Sequence, residues 1–378
     1  MRKVLLAGLA VFVVAGCDNL PGGKAGHHGG EGHASTANAN RLEADVRYLA
    51  DDLLEGREAG TRGYDLAAKY VAERYRSMGL KPGGGDGTYF QNVPMREVKN
   101  ALENGGTITF SGAGAPQGIK PAVDYFVGSS SQVTEGGVEA PMVFVGYGLV
   151  DDETGRDDFE GLDVEGKVVV YMFGAPKYLN TEARAHYRAT TLKRASERGA
   201  VGALVLFTPA LSELIPVPDP FAYLVSLQKN DTGMSWLQED GTPFTSAPTI
   251  KGGGFLSPAL SERLFENQPV SWADIVAAET SENGEIAGFD MGMTAKITHK
   301  SEHRELASPN VIGILPGTDP KLKDEYVVLT AHLDHEGIKP TPEEGDDEIY
   351  NGAMDNASGT ASILEVAHLL AHNPPKRS

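Results

Sequence analysis

A single cysteine, Cys17, occurs in 378 residues, so no intramolecular disulfide, Cys-rich zinc site or Cys-X-X-Cys redox pair can form. Basic charge is also scarce. Thirty-three Lys and Arg stand against 52 Asp and Glu, a net charge of −19, and no stretch gathers enough positive charge to track a run of phosphates. Nucleic acid is therefore not expected as a partner. The apolar run Val4 to Gly16 is too short to span a membrane. The chain has no His-Glu-X-X-His zincin pattern, no Gly-X-Ser-X-Gly nucleophile elbow and no Gly-X-X-X-X-Gly-Lys phosphate loop. Gly83-Gly84-Gly85 and Gly252-Gly253-Gly254 lack a following Lys and hydroxyl, and read as turns. What is present is 40% hydrophobic residues on a chain long enough for two ordinary domains.

Residues 1–16, Met-Arg-Lys followed by the apolar run, have the form of a signal peptide. Val14-Ala15-Gly16-Cys17 resembles the bacterial lipobox, in which cleavage precedes the cysteine and its sulfur receives a diacylglycerol. Lipidation of Cys17 is expected to anchor the protein at a membrane of the bacterial cell envelope, with the leaflet left open. Residues 17–40 are rich in Gly, Ala, His and Asn without hydrophobic periodicity and read as a flexible tether. Its His27, His28 and His33 are taken as spacer residues, because nothing fixes the rings in a ligand geometry.

Beyond the tether, Leu42, Val46, Leu49 and Leu53 share one helical face, and Asn40 with Glu43 suggests an N-cap. The loop 55–63 leads to a second helix carrying Tyr64, Ala67, Ala68, Val71, Tyr75 and Met78, stopped by Gly79. Residues 41–122 and 291–378 read as two parts of one domain, and 123–290 as a β-rich insert with a helix over about 182–198. In the last part the pattern predicts a strand over 310–315, a fully buried strand over 326–331 and a helix over 356–372.

Ala331-His332-Leu333-Asp334-His335 follows the predicted buried strand, where open α/β sheets present functional groups. A neutral imidazole is a common metal ligand, and a nearby carboxylate commonly holds its other nitrogen, so His332 with Asp334 has the composition of a ligand and its orienting acid. By itself that proves little, since a strand-end His is more often simply satisfied by its neighbours. The second segment is Asn351-Gly352-Ala353-Met354-Asp355-Asn356-Ala357-Ser358-Gly359, an acid and an amide at the start of the final helix. Asp355 could cap that helix as readily as bind a metal.

The two motifs together resemble the M28 family of co-catalytic zinc aminopeptidases, and Leu54 to Tyr64 with Gly79-Leu80-Lys81-Pro82 resembles that family's N-terminal helices. The resemblance implies an α/β fold on the mixed-sheet, phosphorylase/hydrolase-like scaffold, with the middle of the chain as an inserted protease-associated domain. It implies two zinc ions, with His332 as a terminal ligand of one, Asp355 as the bridging carboxylate and Asp334 as the catalytic-site acid that orients His332. His335 receives no role. The implied substrate is a peptide or protein that loses its N-terminal residue.

The family's Glu-Glu pair, a base and a ligand, is expected on the strand after the last helix, and the sequence ends at Lys376-Arg377-Ser378. Glu343-Glu344 precedes Asp355 in a solvated acidic loop and is not equated with that pair. The expectation is a scaffold incomplete at the C-terminus and inactive by itself. The alternatives are a non-catalytic, lipid-anchored binding protein with a protease-associated domain, or a glutaminyl cyclase-like enzyme.

Overall fold

Val168 to Met172 and Gly202 to Leu206 contain no charged residue, and a strand apolar on both sides has to be covered on both. In the computed structural model, which describes residues 37–102, 106–230, 232–339, 345 and 347–378, both runs are strands buried at every position. They belong to a nine-stranded sheet made of β1 (Phe90–Asn100), β2 (Gly106–Gly112), β3 (Tyr125–Val127), β4 (Glu135–Phe144), β5 (Val168–Met172), β6 (Gly202–Leu206), β7 (Gly233–Trp236), β8 (Gly253–Leu256) and β9 (Phe289–Val311). Its order is β7-β1-β9-β4-β5-β6-β8-β3, with β2 paired to β9. The expected mixed α/β architecture is therefore observed: β4, β5, β6 and β8 run parallel, while β3 and β9 run antiparallel to their neighbours.

The chain divides into two compact units. One is Arg96–Arg304, within which the stretch 123–290 lies; the other combines the described residues 37–95 with Glu305–Ser378. In the first unit, alternate residues of β5 serve opposite faces, as strand geometry requires. Val168, Val170 and Met172 pack with Met142, Phe144 and Leu204, whereas Val169 and Tyr171 pack with Val143, Ala203 and Val205. The helix expected near 182–198 spans Thr181–Glu197, with the Asn180 side chain accepting from Ala183 N at 2.8 Å.

The second unit holds α1 (Ala39–Leu49), α2 (Arg62–Ser77) and α3 (Ser358–His372), and its apolar cluster comprises Leu49, Leu54, Ala67 and Ala357. The α1 cap is Asn38, whose Oδ1 accepts from Asn40 N and Arg41 N; Asn40, the expected cap, already lies within the helix. Leu53 leaves the predicted apolar face and is 74% exposed, because the chain turns away after Ala50. α2 ends at Gly79, with φ 77°, where Leu80 N donates to Tyr75 O at 3.1 Å, a left-handed helix stop. Two half-buried polar links tie the helices: Arg41 to Glu365 at 2.6 Å, and Arg74 to Asp45, which also accepts from Tyr70 OH at 2.6 Å.

Two strand expectations change. β9 stops at Val311, and Gly313-Ile314 pairs separately with Lys81-Pro82. Residues 326–331 form no strand and are not buried: Tyr326, Val327, Val328 and Leu329 are 52–75% exposed. A strand is held by its ladder, and among the described residues the run's one backbone bond is Val327 N to Ser378 O at 2.9 Å. Cys17, the signal peptide, the tether up to residue 36 and the Glu343-Glu344 pair lie outside the described residues.

Candidate metal centre

His332 and Asp355 sit on segments that the chain brings together against the 3-10 turn Asp52–Arg57. The first segment follows that turn's backbone: His335 N donates to Arg57 O at 3.1 Å and Gly337 N to Gly56 O at 3.2 Å. The second is the wide turn Ala353–Ala357, entered through Gly352 with φ 61° and closed by Ala357 N donating to Gly352 O at 3.1 Å. A Cβ on Gly352 would fall 2.5 Å from Asp355 O and 2.6 Å from Arg57 Nη2, so a residue with a side chain fits neither the φ nor the space.

This arrangement sets His332 Nε2 2.9 Å from Asp355 Oδ1. The other ring nitrogen, Nδ1, lies 3.1 Å from the Asp334 carbonyl oxygen and 3.7 Å from Asp334 Oδ1. The hydrogen bond that orients the imidazole thus goes to the main chain of Asp334, and the carboxylate stands behind it. With the proton assigned to Nδ1 by that bond, Nε2 turns a lone pair toward a carboxylate oxygen. Two acceptors face each other, an arrangement that calls for a proton or a cation between them.

Asp355 is free for this role because Asn356 takes the capping one: its Oδ1 accepts from Gly359 N at 3.0 Å at the start of α3. Both side chains are nearly half exposed, 46% for His332 and 47% for Asp355, so an ion can reach them from solvent. The donors also fit zinc. Metal–ligand distances of about 2.0–2.2 Å in a tetrahedron separate two donors by about 3.4 Å, a small opening from 2.9 Å. Among the described residues no group of three or more His, Cys, Asp or Glu is placed to hold one ion.

The surroundings are charged and partly dry. Burial pulls the His335 imidazole below its ordinary pKa, and nearby Asp355 opposes that pull; its ring meets Tyr350 edge to face. Burial lowers the Arg57 guanidinium, with Asp334 and Asp355 acting in the opposite sense. Tyr64, whose hydroxyl donates to Pro309 O at 2.7 Å, is pushed up to about 12 by burial and by Asp334. Sequence reasoning gave Arg57 and Tyr64 no part, although both lie in the Leu54 to Tyr64 segment. The signal available was Arg57 itself, a cation between two glycine-containing turns with no acid at helical spacing to claim it.

Residues 310–378 match the sequence model of Peptidase family M28. Among solved structures, the chain is similar to an aminopeptidase from Aneurinibacillus sp. strain AM-1, at 17% identity and a TM-score of 0.42, over 89% of this chain and 60% of that one. It is also similar to BSAP, a zinc aminopeptidase from Bacillus subtilis, at 19% identity and a TM-score of 0.35, over 90% of this chain and 60% of that one. The chain therefore spans about 60% of the length of these structures. No curated protein matches it. His332, Asp334 and Asp355 all lie within the segment that the M28 model matches.

Proposed function

We propose that the His332–Asp355 pair holds zinc and that the protein is a metallopeptidase releasing N-terminal residues from peptides, with a second ion sharing the Asp355 carboxylate. The observation that carries this is the 2.9 Å approach of His332 Nε2 to Asp355 Oδ1, on an imidazole whose other nitrogen is already engaged. The M28 match over the same residues supports it. Zinc held there supplies Lewis acidity toward a peptide carbonyl. The chain's own contribution is to fix the imidazole through the Asp334 carbonyl and to keep the pair open to solvent.

The pair fills two of the four positions zinc takes, and among the described residues no third His, Cys, Asp or Glu joins them. That supports the further proposal that residues 1–378 alone bind zinc without hydrolysing peptides. The lipobox-like Val14-Ala15-Gly16-Cys17 supports a lipid-anchored envelope location.

Zinc content after dialysis and hydrolysis of an aminoacyl anilide test both parts. Zinc retained by the wild-type chain and lost in His332→Ala supports the site; equal zinc in the two proteins overturns it. Chelator-sensitive anilide release by the 378-residue chain overturns the inactivity.

A further inference from the structure

Main-chain carbonyls of both metal-holding segments converge on one side chain. Arg57 is 1% exposed, and its Nε donates to Leu333 O at 2.9 Å, its Nη1 to Asn351 O at 2.7 Å and its Nη2 to Gly352 O at 3.1 Å. Leu333 lies between His332 and Asp334, and Gly352 opens the turn that carries Asp355. Nη1 also donates to Leu49 O at the end of α1, which ties both segments to the helical core. The Arg57 backbone holds the first segment from its other side, since its carbonyl accepts from His335 N.

The local chain is shaped to aim this side chain. Glu55, Gly56 and Arg57 all have positive φ, 51°, 68° and 53°, a conformation that residues with a Cβ keep only where the surroundings impose it. Gly352, without a Cβ, leaves the space that Nη2 occupies. A planar fork with five N–H donors can bond carbonyls on several sides at once; a lysine ammonium is a point donor on a flexible stem and cannot.

We infer that Arg57 is a positioning residue for a divalent cation at His332 and Asp355, setting their separation by bonding the main chain beside each. The inference rests on reading the pair as a metal site. Arg57 acts through Leu333, Asn351 and Gly352 rather than by touching the ion.

The test compares full-length wild type with Arg57→Lys and Arg57→Gln. Arg41→Ala serves as the control, because it breaks a half-buried ion pair in the same unit without reaching either segment. Three readouts apply: zinc affinity by chelator competition, the visible spectrum of the cobalt-loaded protein, and amide exchange over 331–337 and 350–357 in metal-free protein. Both Arg57 variants are expected to bind zinc about 10- to 100-fold more weakly, to shift the cobalt bands and to exchange faster in both segments. Because Arg57→Lys keeps the charge, its loss reports geometry.

Wild-type affinity, spectrum and exchange in Arg57→Lys overturn the inference. So does Arg41→Ala reproducing the same losses at a matched Tm. If the wild type binds no zinc, the metal reading fails separately and exchange decides: acceleration confined to the two segments keeps the positioning role, and unchanged exchange removes it.

Discussion

His332 Nε2 faces Asp355 Oδ1 at 2.9 Å while His332 Nδ1 donates to the Asp334 carbonyl, so the imidazole is held by main chain and aimed at a carboxylate. Because both side chains are nearly half exposed, their pairing contributes little to folding, about 0–1 kcal/mol. His332→Ala and Asp355→Ala should therefore leave the metal-free Tm almost unchanged. They should abolish the rise in Tm that added zinc gives the wild type, since a ligand stabilises only the state that binds it. Differential scanning calorimetry with and without zinc checks both statements.

Gly352→Ala tests whether the turn before Asp355 tolerates any side chain. At φ 61°, with contacts of 2.5 and 2.6 Å waiting for a Cβ, the substitution should cost about 1–3 kcal/mol from the backbone alone, and more from the displaced guanidinium. Urea unfolding measures the cost, and zinc affinity should fall with it. A variant as stable as the wild type would mean the turn can relax without loss.

Local chemistry was legible in the sequence. The helix stopped by Gly79 and the helix of residues 181–197 depend on neighbouring caps and on periodicity, and both formed within a residue or two of expectation. The buried strand at 326–331 depends on partners elsewhere in the chain, and an apolar run does not state whether it has them. The two roles open to Asp355 were separable only in three dimensions, where Asn356 takes the cap. Arg57 was hidden for the same reason, since it bonds Asn351 across 294 positions and no sequence period records such a contact.

Glu365 links α3 to α1 and is expected to dominate acid unfolding of its unit. Arg41 and Asn38 N hold its carboxylate down to about 2, from an ordinary value near 4.5. Its folded value lies below its unfolded value, so the stabilisation is present above about pH 4.5 and is lost as pH falls toward 2. Arg41→Ala leaves this carboxylate with only its backbone donor and should lower stability at neutral pH. The penalty should shrink below pH 4, which urea midpoints across pH 3–7 would show.

His299 sets a second pH dependence, in the other unit. It is 3% exposed, and burial lowers its pKa against the opposing effect of a backbone hydrogen bond at Lys251. Here the unfolded chain takes up the proton first, so stability falls as pH drops below about 6.5 and levels off below the folded value. Wild type should lose more stability than His299→Gln between pH 7.5 and 5. Equal losses would show that the imidazole is protonated in place without cost.

Tyr326 to Leu329 present four consecutive exposed apolar side chains outside any strand, with one described backbone bond at Val327. Unpaired N–H and C=O groups beside apolar side chains are a template for pairing with another chain. Val328, 75% exposed, is the position where a charge interferes most with such pairing and least with the fold. Val328→Lys should raise the concentration at which the protein stays monodisperse by light scattering. Its stability should remain within about 0.5 kcal/mol of the wild type, as expected for a surface change. A large loss of Tm would instead mean that Val328 is buried in the folded protein in solution, as the predicted strand requires.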